Sequence, residues 1–243
     1  MPMNAKLATH DLWLSGVFGK DVYRIALDSS ASLDESLKKE VKALQTKAVF
    51  LYAKIATTDM AGIKFLEDLS FNLVDTNILL EKQAEVDLKL TGRNEVRFAR
   101  DEDEDLISEV ARNSFQFSRF HQDPKTPKVI ADKIKEEWAR NFFHGKRGSH
   151  MIAGLVDGKI KGFLQLLNDN RGNFIIDLIA AHPSARNRNL ATDMIAFAQL
   201  HCPGIKTFLV GTQVANVVSL RLYEKLGFRI KDSHYVFHYH SDL

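Results

Sequence analysis

The stretch Asn216–Phe228, NVVSLRLYEKLGF, decides how this chain reads. It describes a short amphipathic helix with its own start and stop. Asn216 can cap the first turn by accepting from an orphan N–H. Val217, Leu220 and Glu224 share one face, and Leu222, Leu226 and Phe228 contribute to an apolar one. Gly227 suits the left-handed position that ends a helix, and Arg229-Ile230 opens a new extended run. Tyr223 can be read in two ways. It is either a half-buried aromatic whose hydroxyl finds a neighbour or a proton donor on a functional surface.

Working outward, the chain has 243 residues, enough for one large domain or two small ones. Its 45% hydrophobic and 26% charged residues are ordinary for a globular protein. A net charge of +2 gives no general nucleic-acid signature. The single cysteine, Cys202, cannot form an internal disulfide and fits a reducing compartment. Met1–His10 has no long apolar stretch of the signal-peptide kind. No apolar run approaches the ~20 residues that span a bilayer. The expectation is a cytoplasmic protein without membrane or nucleic-acid partners.

Hydrophobic periodicity predicts strands at Val22–Leu27, Val49–Ile55 and Phe71–Leu80, with helices at Leu33–Lys47 and Asp59–Leu69. The polar segment Glu81–Arg93 reads as a linker. A strand from Val96 to Ala99 follows it, then a helix over Asp101–Asn113 opened by the acidic run DEDED, read as a solvated N-terminus. Pro127–Phe143 is helical. Met151–Val156 and Ile160–Leu167 form a hairpin around Asp157-Gly158. Phe174–Ala181 is a buried strand, Leu190–Leu200 a helix, and Thr207–Val210 and Tyr235–Tyr239 are further strands. Hairpins mixed with βαβ units imply an α/β fold (α+β in character) with a mixed sheet.

The chain also echoes itself. An offset of 157 positions lays Phe65–Phe71 on Leu222–Phe228 without a gap and puts Asp59 on Asn216. Glu67, Leu69, Phe71 and Asp75 repeat as Glu224, Leu226, Phe228 and Asp232. Both segments read strand, helix, strand in one hydrophobic phase, which predicts that the first ~90 residues are a decayed copy of the C-terminal half. Leu66 stands where Tyr223 does, so the copy should be scaffold or substrate wall.

A second motif lies upstream, in FIIDLIAAHPSARNRNLAT at Phe174–Thr192. A strand, a proline and a basic turn precede a helix whose exposed N–H groups can hold an anion. Arg186 and Arg188 add positive charge with bidentate capacity.

Together the two motifs resemble the Gcn5-related N-acetyltransferases (GNAT), which move an acetyl group from acetyl-coenzyme A to an amine. LYEKLGF resembles that family's closing motif. Arg186-Asn187-Arg188-Asn189-Leu190-Ala191 lies on its Arg-x-x-Gly-x-Gly/Ala turn. The resemblance implies an acyl-coenzyme A N-acyltransferase fold over residues 94–243, preceded by a smaller half-GNAT-like α/β domain over 1–93. It implies acetyl-coenzyme A as co-substrate, with no metal. Arg186 to Ala191 and Thr192 would receive the pyrophosphate. Ile179, Ala180 and Ala181 would offer backbone to the pantetheine arm, on a strand that in the family splays from its neighbour. Asn216 would bond the coenzyme, and Tyr223 would protonate the leaving thiolate. One departure stands out, because Asn189 replaces the first glycine of the turn. Asparagine is among the few residues that tolerate positive φ. The base is open between Asp177 and His121, and Asp177 can equally be tied up in a structural hydrogen bond.

Ser118–Pro124, SRFHQDP, reads as a loop in the substrate region, where Arg119 and His121 suit anionic groups. This loop, Trp138 and the N-terminal VFGKDVYRI resemble the dTDP-fucosamine acetyltransferase family, which implies a nucleotide-linked amino sugar as the acceptor. Two other readings stay open: an acetyltransferase for another small amine or a protein N-terminus, and a catalytically weak coenzyme-binding scaffold. A homodimer is compatible with all three.

Overall fold

The computed structural model describes residues 8–27, 35–85 and 92–242. In chain order these form β1 (Ala8–His10), α1 (Leu12–Phe18), β2 (Asp21–Ile25), α2 (Glu35–Gln45), β3 (Val49–Ala56), α3 (Met60–Asp68) and β4 (Asn72–Gln83). Then come β5 (Glu95–Phe98), α4 (Glu104–Ser114), α5 (Arg119–Gln122), α6 (Lys128–Phe143), β6 (His150–Val156), β7 (Lys159–Asn168) and β8 (Asn173–Ala181). The chain closes with α7 (Leu190–His201), β9 (Thr207–Gln213), α8 (Val217–Lys225) and β10 (Arg229–Ser241). All ten strands join one sheet in the order β1-β2-β3-β10-β4-β9-β8-β7-β6-β5. Only β2/β3 and β8/β9 pair in parallel, as expected of a mixed sheet in an α/β chain.

The order contains a two-fold exchange. Replacing β1, β2, β3 and β4 by β7, β8, β9 and β10, and the reverse, returns the same sequence of those eight strands read backwards. In the central strands β3, β10, β4 and β9 the register obeys the same rule at the offset of 157. His234 opposes Ala56 in one pair, and Asn77 opposes Gln213 in the other. Asn77 and His234, equivalent by that offset, oppose each other at the centre. Lys231 bulges from β10 and Val74 from β4, again equivalent positions. Bulges are specific local devices that bend a strand, and here the same device recurs at positions 157 residues apart.

The helix boundaries repeat as well. Asp59 Oδ1 accepts from the Gly62 N–H at 2.9 Å, and Asn216 Oδ1 accepts from the Ser219 N–H at 3.3 Å. Ser70 and Gly227 both terminate their helices at positive φ, 60° and 82°. The C-terminal strand β10 lies between β3 and β4 of the N-terminal unit, and β4 lies between β10 and β9. Each half therefore completes the other's sheet.

Four apolar clusters cover the two faces. One packs α7 and α8 on β8, β9 and β4 through residues such as Leu190, Met194, Phe208 and Tyr223. Its N-terminal counterpart sets Val41, Phe65 and Leu66 on β3. On the opposite face, α4 and α6 cover β6 to β8, and α1, α5 and α6 cover Phe50 and Val22.

Several sequence readings need correction. β4 runs on through Glu81–Gln83, paired with β9, so the linker is shorter than read; residues 86–91 of it lie outside the described residues. The run DEDED is not wholly solvated. Asp103 is buried and takes two bonds from Arg97, at 2.6 and 2.9 Å. Ser118–Pro124 contains a short helix rather than only a loop. Asp157 and Gly158 both adopt positive φ, 52° and 71°, as a tight hairpin turn requires. No helix among the described residues is long and apolar enough to cross a membrane.

Candidate active site

The site begins with a divergence of two strands. β8 and β9 pair from Asn173–Thr207 only as far as Ile176–Val210. Beyond that point β8 continues to Ala181 on β7, and β9 continues to Gln213 on β4. The backbone of 177–181 on one side and 211–213 on the other is left without a strand partner across the gap. Asp177 is the extra residue of a bulge, because Leu178 opposes Gln165 and Ile176 opposes Leu166. A cleft of about 600 Å³ opens between the separated strands.

Ile179, Ala180 and Ala181 line this cleft, as does Asp177. At one end it reaches the turn before α7, where Arg186, Asn187 and Asn189 line it together with Leu190, Ala191 and Thr192. Arg188 does not; its guanidinium faces Asp157 at 3.5 Å and its carbonyl accepts from Asn94 at 2.8 Å. Asn187 and Asn189 have φ of 63° and 61°. Both occupy the left-handed region that glycine enters freely and asparagine tolerates. The turn thus keeps its shape without the glycine. Asn189 stands at the N-terminus of α7, and its side chain makes no capping bond there, which leaves the first-turn N–H groups facing outward.

Leu190 sets how closely that helix approaches the sheet. A Cβ added at Gly162 would lie 2.7 Å from Leu190 Cδ2 and 2.9 Å from the Ala180 carbonyl. One at Gly154 would lie 2.8 Å from Leu190 Cδ1. Two glycines on β6 and β7 therefore admit the start of α7.

Asn216 and Tyr223 line the middle of the cleft from α8. Tyr223 is 2% exposed, with its ring 5.2 Å from that of Phe228. Its hydroxyl hydrogen-bonds to nothing among the described residues, although buried tyrosines usually find a partner. Burial raises its pKa well above the usual range, so the hydroxyl keeps its proton.

The remaining wall comes from α4, the segment after it, and α6. Phe115, Gln116, Phe117, Ser118 and Lys135 line it. Lys135, which the sequence reading missed, is 7% exposed. It lies on the apolar stripe of α6, four residues after Ala131 and three before Trp138, and that spacing was the available signal. Its ammonium sits 4.4 Å from the Trp138 ring and 4.8 Å from that of Phe115. Burial lowers its pKa from the ordinary 10.5 to about 7, against the field of Asp177. Asp177 is itself clamped by Arg147 through two bonds of 2.6 Å.

Arg119 and His121 do not line the cleft. Arg119 lies over the Tyr52 ring at 4.0 Å. His121 is held between Ser118 at 2.6 Å and Asp132 at 3.1 Å. Behind them Asp123 accepts from His238 Nδ1 and His240 Nε2, both at 2.7 Å, which ties the α5 segment to β10. This cluster could in principle hold a cation. Its distances are those of charge-assisted hydrogen bonds, shorter than the spacing between two donors about 2 Å from a shared ion.

Residues 113–228 match the Acetyltransferase (GNAT) family. The chain is 28% identical over 235 residues to the spore coat polysaccharide biosynthesis protein SpsD of Bacillus subtilis, covering 93% of this chain and 80% of that one. Among solved structures, the tandem GNAT protein from the clavulanic acid biosynthesis pathway has 12% identity and a TM-score of 0.61, covering 90% of this chain and 75% of that one. A GCN5-related N-acetyltransferase from Kribbella flavida has 13% identity and a TM-score of 0.62, covering 97% and 88%. These structures are alike in fold. With the splayed strands, the helix-capping turn and the buried tyrosine on one cleft, the chain carries a GNAT acetyltransferase domain and is an acetyl-coenzyme A-dependent N-acetyltransferase.

Proposed function

We propose that this enzyme acetylates the amino group of a nucleotide-linked amino sugar destined for a surface polysaccharide. The observation that carries the acceptor class is the similarity to SpsD, a spore coat polysaccharide biosynthesis protein, along nearly the whole chain. The pyrophosphate of the coenzyme rests on the N-terminus of α7 beside Arg186, and the pantetheine arm runs along 179–181 in the gap between β8 and β9. There, backbone N–H groups polarise the thioester carbonyl. The amine attacks directly, the carbon–sulfur bond breaks, and Tyr223 gives its proton to the sulfur. Residues 1–93 form a half-GNAT-like unit that supplies scaffold and part of the acceptor wall, and residues 94–243 form the catalytic unit. Arg119 and His121 act on the acceptor through the wall they hold in place.

The test is thiol release from acetyl-coenzyme A with a panel of dTDP-4-amino sugars, polyamines and peptides. Turnover on the sugar nucleotides supports the reading. Turnover confined to polyamines or peptides overturns the acceptor class while leaving the donor site intact.

A further inference from the structure

We infer that Lys135 is the general base that takes the proton from the acceptor amine, and that Asp177 acts on it only through its charge. This rests on the acetyl transfer proposed above. Asp177 lines the cleft, but both of its oxygens are engaged by the Arg147 guanidinium, and Gln165 adds a third bond at 3.3 Å. A carboxylate held this way has its lone pairs already committed to donors, so neither oxygen is open to the acceptor amine. Lys135 is in the opposite condition. It lies in the wall of the cleft that also holds Asp177, nine-tenths buried, and its nitrogen hydrogen-bonds to nothing among the described residues.

Its surroundings favour an uncharged amine. The ring faces of Phe115 and Trp138 attract the ammonium, but burial is the largest influence on the nitrogen and acts against the charge. Arg147 and Arg119 face it with positive charge and disfavour a further cation, while Asp177 is the negative group opposing them. His121, on the far side of α5, is held by Ser118 and Asp132 and stays below its ordinary pKa through burial. The lowered pKa of Lys135, about 7, agrees with this geometry. It places the base near the pH at which a general base works best. The step balances. Nitrogen bonds to the acetyl carbon as sulfur leaves, the amine proton moves to Lys135 Nζ, and the Tyr223 proton moves to sulfur. Lys135 then returns its proton to solvent and Tyr223 regains one.

The experiment is a pH profile of kcat/KM for wild type, Lys135→Met, Lys135→Arg and Asp177→Asn, with acetyl-coenzyme A and the panel of dTDP-4-amino sugars. Coenzyme binding is measured in parallel as a folding control. Wild type should show an acidic limb near pH 7. Lys135→Met should lose about a hundred- to ten-thousandfold at that pH, and the rate should then rise with the acceptor's own deprotonation. Lys135→Arg, always protonated, should be equally impaired. Asp177→Asn should move the limb to lower pH, because the carboxylate that favours the ammonium is gone. That variant tests the assignment even where a Lys135 variant fails to fold. Rescue by arginine, or a limb that survives in Lys135→Met or vanishes in Asp177→Asn, overturns it. Absence of wild-type turnover on every amine would instead remove the acetyl-transfer reading.

Discussion

Replacing Lys135 by methionine should stabilise the protein, and should do so in a way that depends on pH. Methionine matches the length of the buried stem without its ammonium and fits the slot between Phe115 and Trp138. The magnitude follows from the gap between the ordinary lysine value of 10.5 and about 7 in the folded protein. Each pH unit of that gap is worth about 1.4 kcal/mol, so the full penalty is on the order of a few kcal/mol. Its sign is fixed by linkage. The folded state binds fewer protons than the unfolded one between about pH 7 and 10.5, so this group makes stability rise with pH across that window. The penalty is complete below about pH 7 and absent above 10.5. Urea unfolding of both proteins at pH 6, 7.5 and 9 measures it. The advantage of Lys135→Met should be largest at pH 6 and shrink steadily toward pH 9. An advantage that does not change with pH, or a wild type more stable at pH 6, would refute the reasoning. Enzymes commonly give up stability where function needs a strained group, and this buried lysine fits that pattern.

Other outcomes follow from the same geometry. Tyr223→Phe should lower kcat by about ten- to a thousandfold with acetyl-coenzyme A affinity unchanged, checked by steady-state kinetics and calorimetry. Asn189→Val should cost at least ~1–2 kcal/mol at its φ of 61° and weaken coenzyme binding, whereas Asn189→Gly should preserve both; titration calorimetry separates them. Asp123→Ala should cost about 1–3 kcal/mol in unfolding experiments for each of the two buried imidazole nitrogens that it leaves without the shared carboxylate. Burial lowers the pKa of His238 to about 4 although Asp123 opposes the shift. Wild type should therefore lose stability as pH falls from about 6.5 toward 4, where the unfolded state takes up that proton first.

Much of the catalytic half was legible because its elements obey local rules. Asn216 caps, Gly227 stops, and the asparagines of the α7 turn take the φ that glycine would. These are properties of single residues and their neighbours. The offset that lays Leu66 on Tyr223 was visible in the hydrophobic phase, and the central strands pair at the same offset. What escaped depends on pairing between distant segments. β10 read as two runs because Lys231–Ser233, around the bulge, is polar. Glu81–Gln83 read as linker because it is a strand only through its pairing with distant β9 and, at Glu81, β10. Arg119 and His121 carried the right chemistry, but the fold turned them toward Tyr52 and Asp132 rather than the cleft. Lys135 was hidden by its residue type, since lysines are rarely buried unless paired. Its place on the stripe of Ala131, Ile134 and Trp138 deserved more weight than its charge.

The proposed reaction passes an acetyl group from coenzyme A to a sugar amine in the cleft between β8 and β9. Its most direct test uses acetyl-coenzyme A labelled in the acetyl carbons, with mass spectrometry and NMR of a dTDP-4-amino sugar incubated with the enzyme. One labelled acetyl group is expected on the amino nitrogen, formed in step with free thiol and greatly slowed by Tyr223→Phe. Thiol release without an acetylated sugar, or label on a hydroxyl oxygen, would contradict it.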